Sequence, residues 1–236
     1  GFLGRHVSRI LAVDPGVKLV VAADIHDPDE PVDGVITEIC DVTRAGDVAA
    51  LLQRHRIDVV VHLAAIVSPG REVDLEYRVD VEGSRNVLAA CAAAGVRRIV
   101  VSSSGAAYGY HPDNPSWLVE SDPVRGNEEF PYSRHKRLVE EMLQEHRTEH
   151  PDLEQVVLRI GTILGPTIRN QITRLWDGRR LLAIRGSDSP FVFIWIDDVA
   201  AVVARAATDG PPGIFNVAGD GALTVGDLAK RLGKPL

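Results

Sequence analysis

The sequence predicts a doubly wound α/β fold, with helices covering both faces of a parallel sheet. Three observations carry this. Short apolar, β-branched runs alternate with helical stretches through residue 161. The chain opens on two glycines three positions apart, GFLG, with a helical run directly behind them. The next strand closes on an acid, Asp24, 20 residues after Gly4.

In chain order, residues 5–11 read as the first helix. Residues 17–24 form a continuous apolar strand and 34–41 a half-alternating one. Residues 43–55 are helical, with Thr43 as cap and Val48, Leu51 and Leu52 on one face. A buried strand follows at 58–65, then a long helix over 75–95 that stops at Gly95. Strand 96–105, amphipathic helix 132–146 and strand 153–161 complete the pattern. Past Gly161 the pattern loosens into Gly, Pro and five arginines between Arg169 and Arg185. The predicted organisation is therefore a nucleotide-binding core over 1–161. Residues 162–236 form mainly a smaller substrate lobe, from which segments near 190–218 return to the core.

The 236 residues carry 45% hydrophobic and 25% charged side chains, enough for a sizeable core. Net charge is −7, from 26 Lys+Arg against 33 Asp+Glu, which disfavours nucleic acid and anionic membranes as partners. No apolar run approaches the roughly 20 residues of a membrane span. No signal-peptide pattern is seen, though a missing front end would hide one. Cys40 and Cys91 lie in apolar surroundings and read as buried free thiols of a reducing compartment, the cytoplasm. The eight histidines show no metal-ligand spacing, so no metal is expected.

In a dinucleotide-binding fold a glycine-rich turn leads into the first helix, and the diphosphate sits on that helix N-terminus. Gly1 and Gly4 fit the second and third glycines of such a turn, which puts the first strand and first glycine upstream of Gly1. Asp24 is placed to accept both hydroxyls of the adenosine ribose and to repel a 2′-phosphate, so NAD is expected rather than NADP.

The chemistry-bearing stretch is YSRHK, Tyr132 to Lys136. On a helix these two residues share a face. An ammonium near a phenol stabilises the phenolate and draws its pKa down from about 10, making it a usable acid/base. Upstream, SSSGAAYG (102–109) follows a strand, so its hydroxyls lie at the carboxyl edge of the sheet, where ligands bind.

With these motifs together, the chain resembles the extended short-chain dehydrogenase/reductase family, the NAD-dependent epimerase/dehydratase group. The likeness covers nearly the whole chain. It includes GFLG, Asp24, CDV (40–42), VVHLAA (60–65), SSSGAAYG, YSRHK, LRIGTILGP (158–166), WIDDVA (195–200) and FNVAG (215–219). The resemblance implies a Rossmann fold with Tyr132 as general acid/base, Lys136 as its partner and Ser104 as the hydrogen-bonding serine. It further implies that Gly1, Phe2, Leu3, Gly4, Asp24 and Ser102 contact the cofactor. Asp41 and Val42 would flank its adenine, and Leu63, Ala64 and Ala65 would pass beneath it. Lys136 would also hold the nicotinamide ribose, and Asp198 would match a structural family acid, capping its helix with Asp197. A homodimer through helices 75–95 and 132–146 is implied as well, and family members usually continue beyond the GKPL at the end of this chain.

Departures bear on the substrate. Asp80 stands where many members carry Asn, in DVEGS. No acid follows Ser104, which weakens a dehydratase reading; Glu128 and Glu129 remain as candidate acids. His62 reads as packed beneath the cofactor and His135 as off the catalytic stripe. Sugar-nucleotide epimerases of this kind often hold diphosphate with an Asn and an Arg where this chain has Thr162 and Phe191. Arg169, Asn170, Arg174, Arg179, Arg180 or Arg185 would have to substitute, and Phe193 and Trp195 would make the pocket apolar. The expected function is NAD-dependent oxidoreduction or epimerisation of a secondary alcohol, foremost of a nucleotide sugar. The alternatives are dehydrogenation or reduction of a steroid-like or aryl alcohol, and a non-catalytic dinucleotide sensor.

Overall fold

The computed structural model describes residues 1–67, 73–166, 168, 171–184, 186 and 189–236. Helix α1 (Phe2–Ala12) precedes strands β1 (Val20–Asp24) and β2 (Val35–Ile39), helix α2 (Ala45–His55) and strand β3 (Val59–His62). A longer helical stretch runs through α3 (Val73–Tyr77), a wider π-helical turn (Arg78–Glu82) and α4 (Gly83–Ala94). Then come β4 (Arg98–Ser104), a 3-10 turn (Gly105–Tyr108), α5 (Pro131–Glu149) and β5 (Glu154–Ile160). The C-terminal part holds β6 (Thr162–Leu164), α6 (Gln171–Arg174), β7 (Phe193–Trp195), α7 (Ile196–Thr208), β8 (Gly213–Val217) and α8 (Val225–Leu232).

β3, β4, β5 and β8 form one parallel sheet in that order, β1 pairs with β2, and β6 pairs with β7, all parallel. The central strands are buried on both sides, which explains their unbroken apolar runs. Successive side chains point to opposite faces. Val100, Val156 and Leu158 pack with α1 and α7, through Val7, Leu11, Val199 and Val203. Ile99, Val101 and Val157 pack the other way, onto Val48 and Leu52 of α2, Leu88 and Cys91 of α4, and Val139 and Leu143 of α5. The doubly wound expectation is met. A third, smaller cluster around Leu181, Leu228, Trp176, Phe191 and Phe193 sits among the C-terminal elements.

Local chemistry departs from expectation in three places. Thr43 does not cap α2: its hydroxyl donates to Asp41 Oδ1 at 2.7 Å, and Arg44 occupies the cap position. Asp197 and Asp198 lie inside the first turn of α7 rather than capping it, where their charge complements the helix dipole. The helix expected over 75–95 is interrupted by the π-helical turn around Asp80 before it ends at Gly95, whose φ of 68° suits glycine.

Candidate active site

One large open cleft runs along β1 and β3 and reaches the carboxyl ends of β4, β5 and β8. It is lined by Gly1–Gly4, Asp24, Asp41, Val42, Leu63, Ala64, Ala65, Ser102, Ser104, Tyr132, Lys136, Thr162 and Phe191. Each of these predicted site residues lies on the wall of this cleft. Arg169 and Asn170 fall outside the described residues, as does Arg185.

The end of β4 and the start of α5 supply the hydroxyl, phenol and ammonium of this cleft wall. Ser104 closes β4, and its Oγ caps the 3-10 turn by accepting from the Ala106 amide at 3.2 Å. Its side chain lies beside Tyr132 and lowers the pKa of that hydroxyl. Lys136 is buried one helical turn further on, with Nζ 5.7 Å from the centre of the Tyr132 ring and donating to the Ser102 carbonyl at 2.8 Å. Ser133 locks this helix start in place. Its Oγ donates to the Ala106 carbonyl at 2.6 Å and accepts from the Asn127 amide at 3.0 Å.

The electrostatics differ from the expectation of a phenol made acidic by Lys136. Burial holds the Tyr132 hydroxyl above its ordinary range; the Ser104 side chain pulls the other way, and the Asp80 charge adds to the rise. Lys136 is lowered by burial, opposed by the carboxylates of Asp80 and Glu140. Desolvation wins because both groups sit at the closed end of the cleft, and the ammonium is engaged by a carbonyl rather than by the phenol oxygen.

The dinucleotide fit is tested at the other end. α1 starts at Gly1 with no side-chain cap, so its first-turn amides face the cleft free for an anion. Asp24 ends β1 with its side chain half exposed on the wall of the cleft. Asp41 orders the turn after β2 by accepting from the Thr43 amide and hydroxyl at 2.9 and 2.7 Å. These residues fit NAD.

Several expectations are redirected. Phe191 reaches the cleft, yet it also stacks on Phe193 (6.1 Å) and meets Trp176 edge-on (5.8 Å), so it is part of the small apolar cluster. Phe193 belongs to that cluster rather than to the cleft wall, and Trp195 is exposed away from it. Arg174, Arg179 and Arg180 are exposed and do not line the cleft. Glu128 is ion-paired with Arg137, and Glu129 accepts from the Asn127 side chain; neither lines the cleft. His62 is buried against Ser84 (2.9 Å), and burial, with the Lys136 charge, lowers its pKa to about 4, which suits a neutral packed residue. His135 points away from the cleft, onto Asp80.

Sequence reasoning missed the polar scaffold behind the site. Arg159 and Glu140 form a buried ion pair at 2.7 Å, joined by Ser103 and Tyr108. The available signal was Arg159 itself, a charge inside an apolar strand. It missed Tyr110 and Trp117 too, exposed aromatics on the cleft wall.

Comparison with known proteins places the chain in a family. An uncharacterized protein of Mycobacterium tuberculosis is 27% identical over 240 residues; the match takes in 99% of this chain, which spans 64% of that relative's length. A UDP-glucose 4-epimerase of Yersinia pestis is 29% identical over 279 residues, covering 100% of this chain and 81% of that protein. The structure of the Thermus thermophilus UDP-glucose 4-epimerase in complex with NAD superposes with a TM-score of 0.81 at 25% identity, covering 100% of this chain and 82% of that one. The family profile matches residues 1–218, and the chain belongs to the NAD dependent epimerase/dehydratase family.

Proposed function

We propose that this protein reversibly oxidises a secondary alcohol of a nucleotide sugar with NAD and returns the hydride to the opposite face of the keto intermediate, an epimerisation. The observation that carries the reading is the convergence of Tyr132, Ser104 and Lys136 at the closed end of the cleft. Relatives named as UDP-glucose 4-epimerases support the substrate class. Residues 1–161 hold the cofactor: Gly1–Gly4 at the diphosphate, Asp24 at the ribose, Asp41 and Val42 at the adenine, Leu63–Ala65 beneath it and Ser102 beside it. Residues 162–236 shape the substrate side through Thr162 and Phe191, with Arg169 and Asn170 as further candidates.

Bound there, NAD supplies the hydride acceptor and donor, and its oxidised form adds a positive charge that favours the phenolate. Tyr132 takes the proton of the substrate hydroxyl and later returns it. Ser104 donates to the same oxygen and fixes its position, while Lys136 holds the ribose and keeps a cation beside the phenol. A simple dehydrogenase acting on an apolar alcohol is the second reading, favoured by the uncharged Phe191 and the exposed Tyr110 and Trp117 on the cleft wall. We place the protein in the cytoplasm as a homodimer, seamed by helices 75–95 and 132–146, where Arg85, Ala89 and Ala93 are exposed at four-residue spacing. No helix among the described residues is long and apolar enough to cross a membrane.

The test is incubation with NAD and a panel of nucleotide sugars and apolar alcohols, following reduced-cofactor absorbance and product stereochemistry. Tyr132→Phe is expected to cut turnover by about 10²–10⁴-fold with NAD affinity unchanged. Turnover equal to the wild type refutes the assignment.

A further inference from the structure

Beside Tyr132 the wall of the cleft is aromatic. Tyr110 is 67% exposed and lines the cleft together with Phe130 and Tyr132. The three rings form a row. Phe130 stands 6.2 Å from Tyr132, and Tyr110 stands 6.0 Å from Phe130, centre to centre, with each pair tilted. The outermost ring lies on the surface, yet its backbone is held from several sides. The Tyr110 amide donates to Asn127 Oδ1 at 2.7 Å, and the Asn127 amide donates to Ser133 Oγ at the start of α5. Gly109, just before it, has a φ of 77°, and a Cβ there would run into the Arg125 carbonyl. The Asn114 side chain donates to the Gly109 carbonyl at 2.7 Å, and Arg125 pairs with Asp113 across the same loop. An exposed aromatic on a braced backbone is preorganised for a ligand, because it has little freedom left to lose on binding. Charge is scarce around it. Between residues 109 and 118 this segment also gives the cleft Pro112, Pro115 and Trp117, and no Lys, Arg, Asp or Glu.

We propose that Tyr110 is a specificity-determining residue: its ring, continued inward by Phe130, is a platform for the C–H face of the substrate's pyranose while a hydroxyl of that sugar meets Tyr132. The inference deepens the nucleotide-sugar reading and rests on it. A sugar whose reacting hydroxyl is at Tyr132 lies within one ring's width of that phenol. The next rings of the row therefore border the sugar rather than the nucleotide. A pyranose such as glucose carries its hydroxyls around its edge and turns C–H bonds to both faces. These bonds are weakly positive and suit the negative face of a π-system. Stacking prescribes no hydroxyl orientation, so the platform accepts either epimer. It also keeps its contact when the keto intermediate turns over to take hydride on its other side. A contact made equally with substrate, intermediate and product is uniform binding, which appears in KM and not in kcat.

Saturation-transfer NMR of the NAD-loaded protein, with UDP-glucose as the probe, reads this contact without turnover. In the wild type, transfer is expected to be strong at the sugar-ring C–H protons; it persists in Tyr110→Phe and is lost in Tyr110→Ala. In turnover, Tyr110→Ala is expected to raise KM for the sugar about 5–10-fold with kcat within about twofold, and Tyr110→Phe to recover most of that loss. The wild-type spectrum is a test on its own: absence of transfer to the sugar ring overturns the proposal, as does transfer to benzyl alcohol with none to the sugar. Equal transfer in Tyr110→Ala overturns it too, and so does a fall in kcat at unchanged KM, the sign of a displaced Tyr132. A wild type that shows the Tyr110-dependent contact but turns over no sugar refutes the epimerase reading and leaves the platform standing. Turnover of the sugar without that contact does the reverse.

Discussion

Replacing Arg159 by Met probes how the reactive end of the cleft is held. Glu140 Oε2 accepts from Arg159 Nη2 at 2.7 Å, and both carboxylate oxygens accept from Nε at 3.0 Å. Arg159 Nη1 also donates to Tyr108 Oη at 2.8 Å and to the Glu120 carbonyl at 3.1 Å, with the guanidinium 4.5 Å from the Tyr108 ring centre. Both side chains of the pair are 4% exposed. Methionine keeps the apolar stem and removes the charge, leaving Glu140 buried with the Ser103 hydroxyl as its donor. Breaking a buried pair from one side costs about 3–5 kcal/mol. For a chain of this size each kcal/mol moves the midpoint by about 2–4 °C, so Tm falls by roughly 6–20 °C. Urea titration and thermal melts followed by circular dichroism measure this. Removing both charges, as in Arg159→Met with Glu140→Leu, is expected to be much less damaging than the two single changes summed. A single-variant loss below about 1 kcal/mol, the scale of an exposed pair, refutes the reasoning. So does strict additivity in the double variant.

His62 sets part of the acid sensitivity. Its folded pKa is about 4 against an unfolded value of about 6.5, so the unfolded chain takes up the proton first. Its contribution of about 3 kcal/mol is present above pH 6.5 and is lost as pH falls toward 4. His62→Gln should flatten that part of the stability curve, and a curve parallel to the wild type counts against the assignment. Asp24→Ser removes the charge opposed to a 2′-phosphate and is expected to raise the NADP/NAD affinity ratio about tenfold or more by calorimetry; an unchanged ratio means Asp24 does not read the ribose. Gly126→Ala drives a Cβ into the Ser133 carbonyl and places it 2.9 Å from Arg137 Cβ. It should cost about 1–3 kcal/mol or more in thermal unfolding and slow turnover by displacing the start of α5; a neutral result shows that the loop before α5 gives way instead.

The sheet is legible in the sequence because its strands are covered on both faces. Val100 and Ile99 are adjacent and both apolar, and each needs a helix on its own side; only a doubly wound arrangement supplies both. The cleft is legible because its groups lie at strand ends and helix starts, where short motifs such as SSSGAAYG and YSRHK keep fixed spacing. Cap identities are less so. Thr43 has a nearer acceptor in Asp41 than the amides of α2, and this competition is not readable from residue type. The π-helical turn leaves no mark in the spacing of apolar residues. The buried pairs Asp80–His135 and Glu140–Arg159 join residues 55 and 19 positions apart, so partners are chosen by the fold after the charges are in place.

α5 brings these strands of reasoning to one element. Its residues four apart divide the work: Tyr132 and Lys136 face the cleft, Glu140 continues that line into the interior onto Arg159, and Val139 with Leu143 packs the core. His135 turns to the other side and meets Asp80. One helix thus carries Tyr132, Lys136 and both buried polar anchors. Any rotation that moved Tyr132 relative to Ser104 would also pull Glu140 off Arg159 and His135 off Asp80. The buried charges therefore contribute alignment as well as stability, and the electrostatics of the phenol cannot be altered through this helix without also loading its anchors.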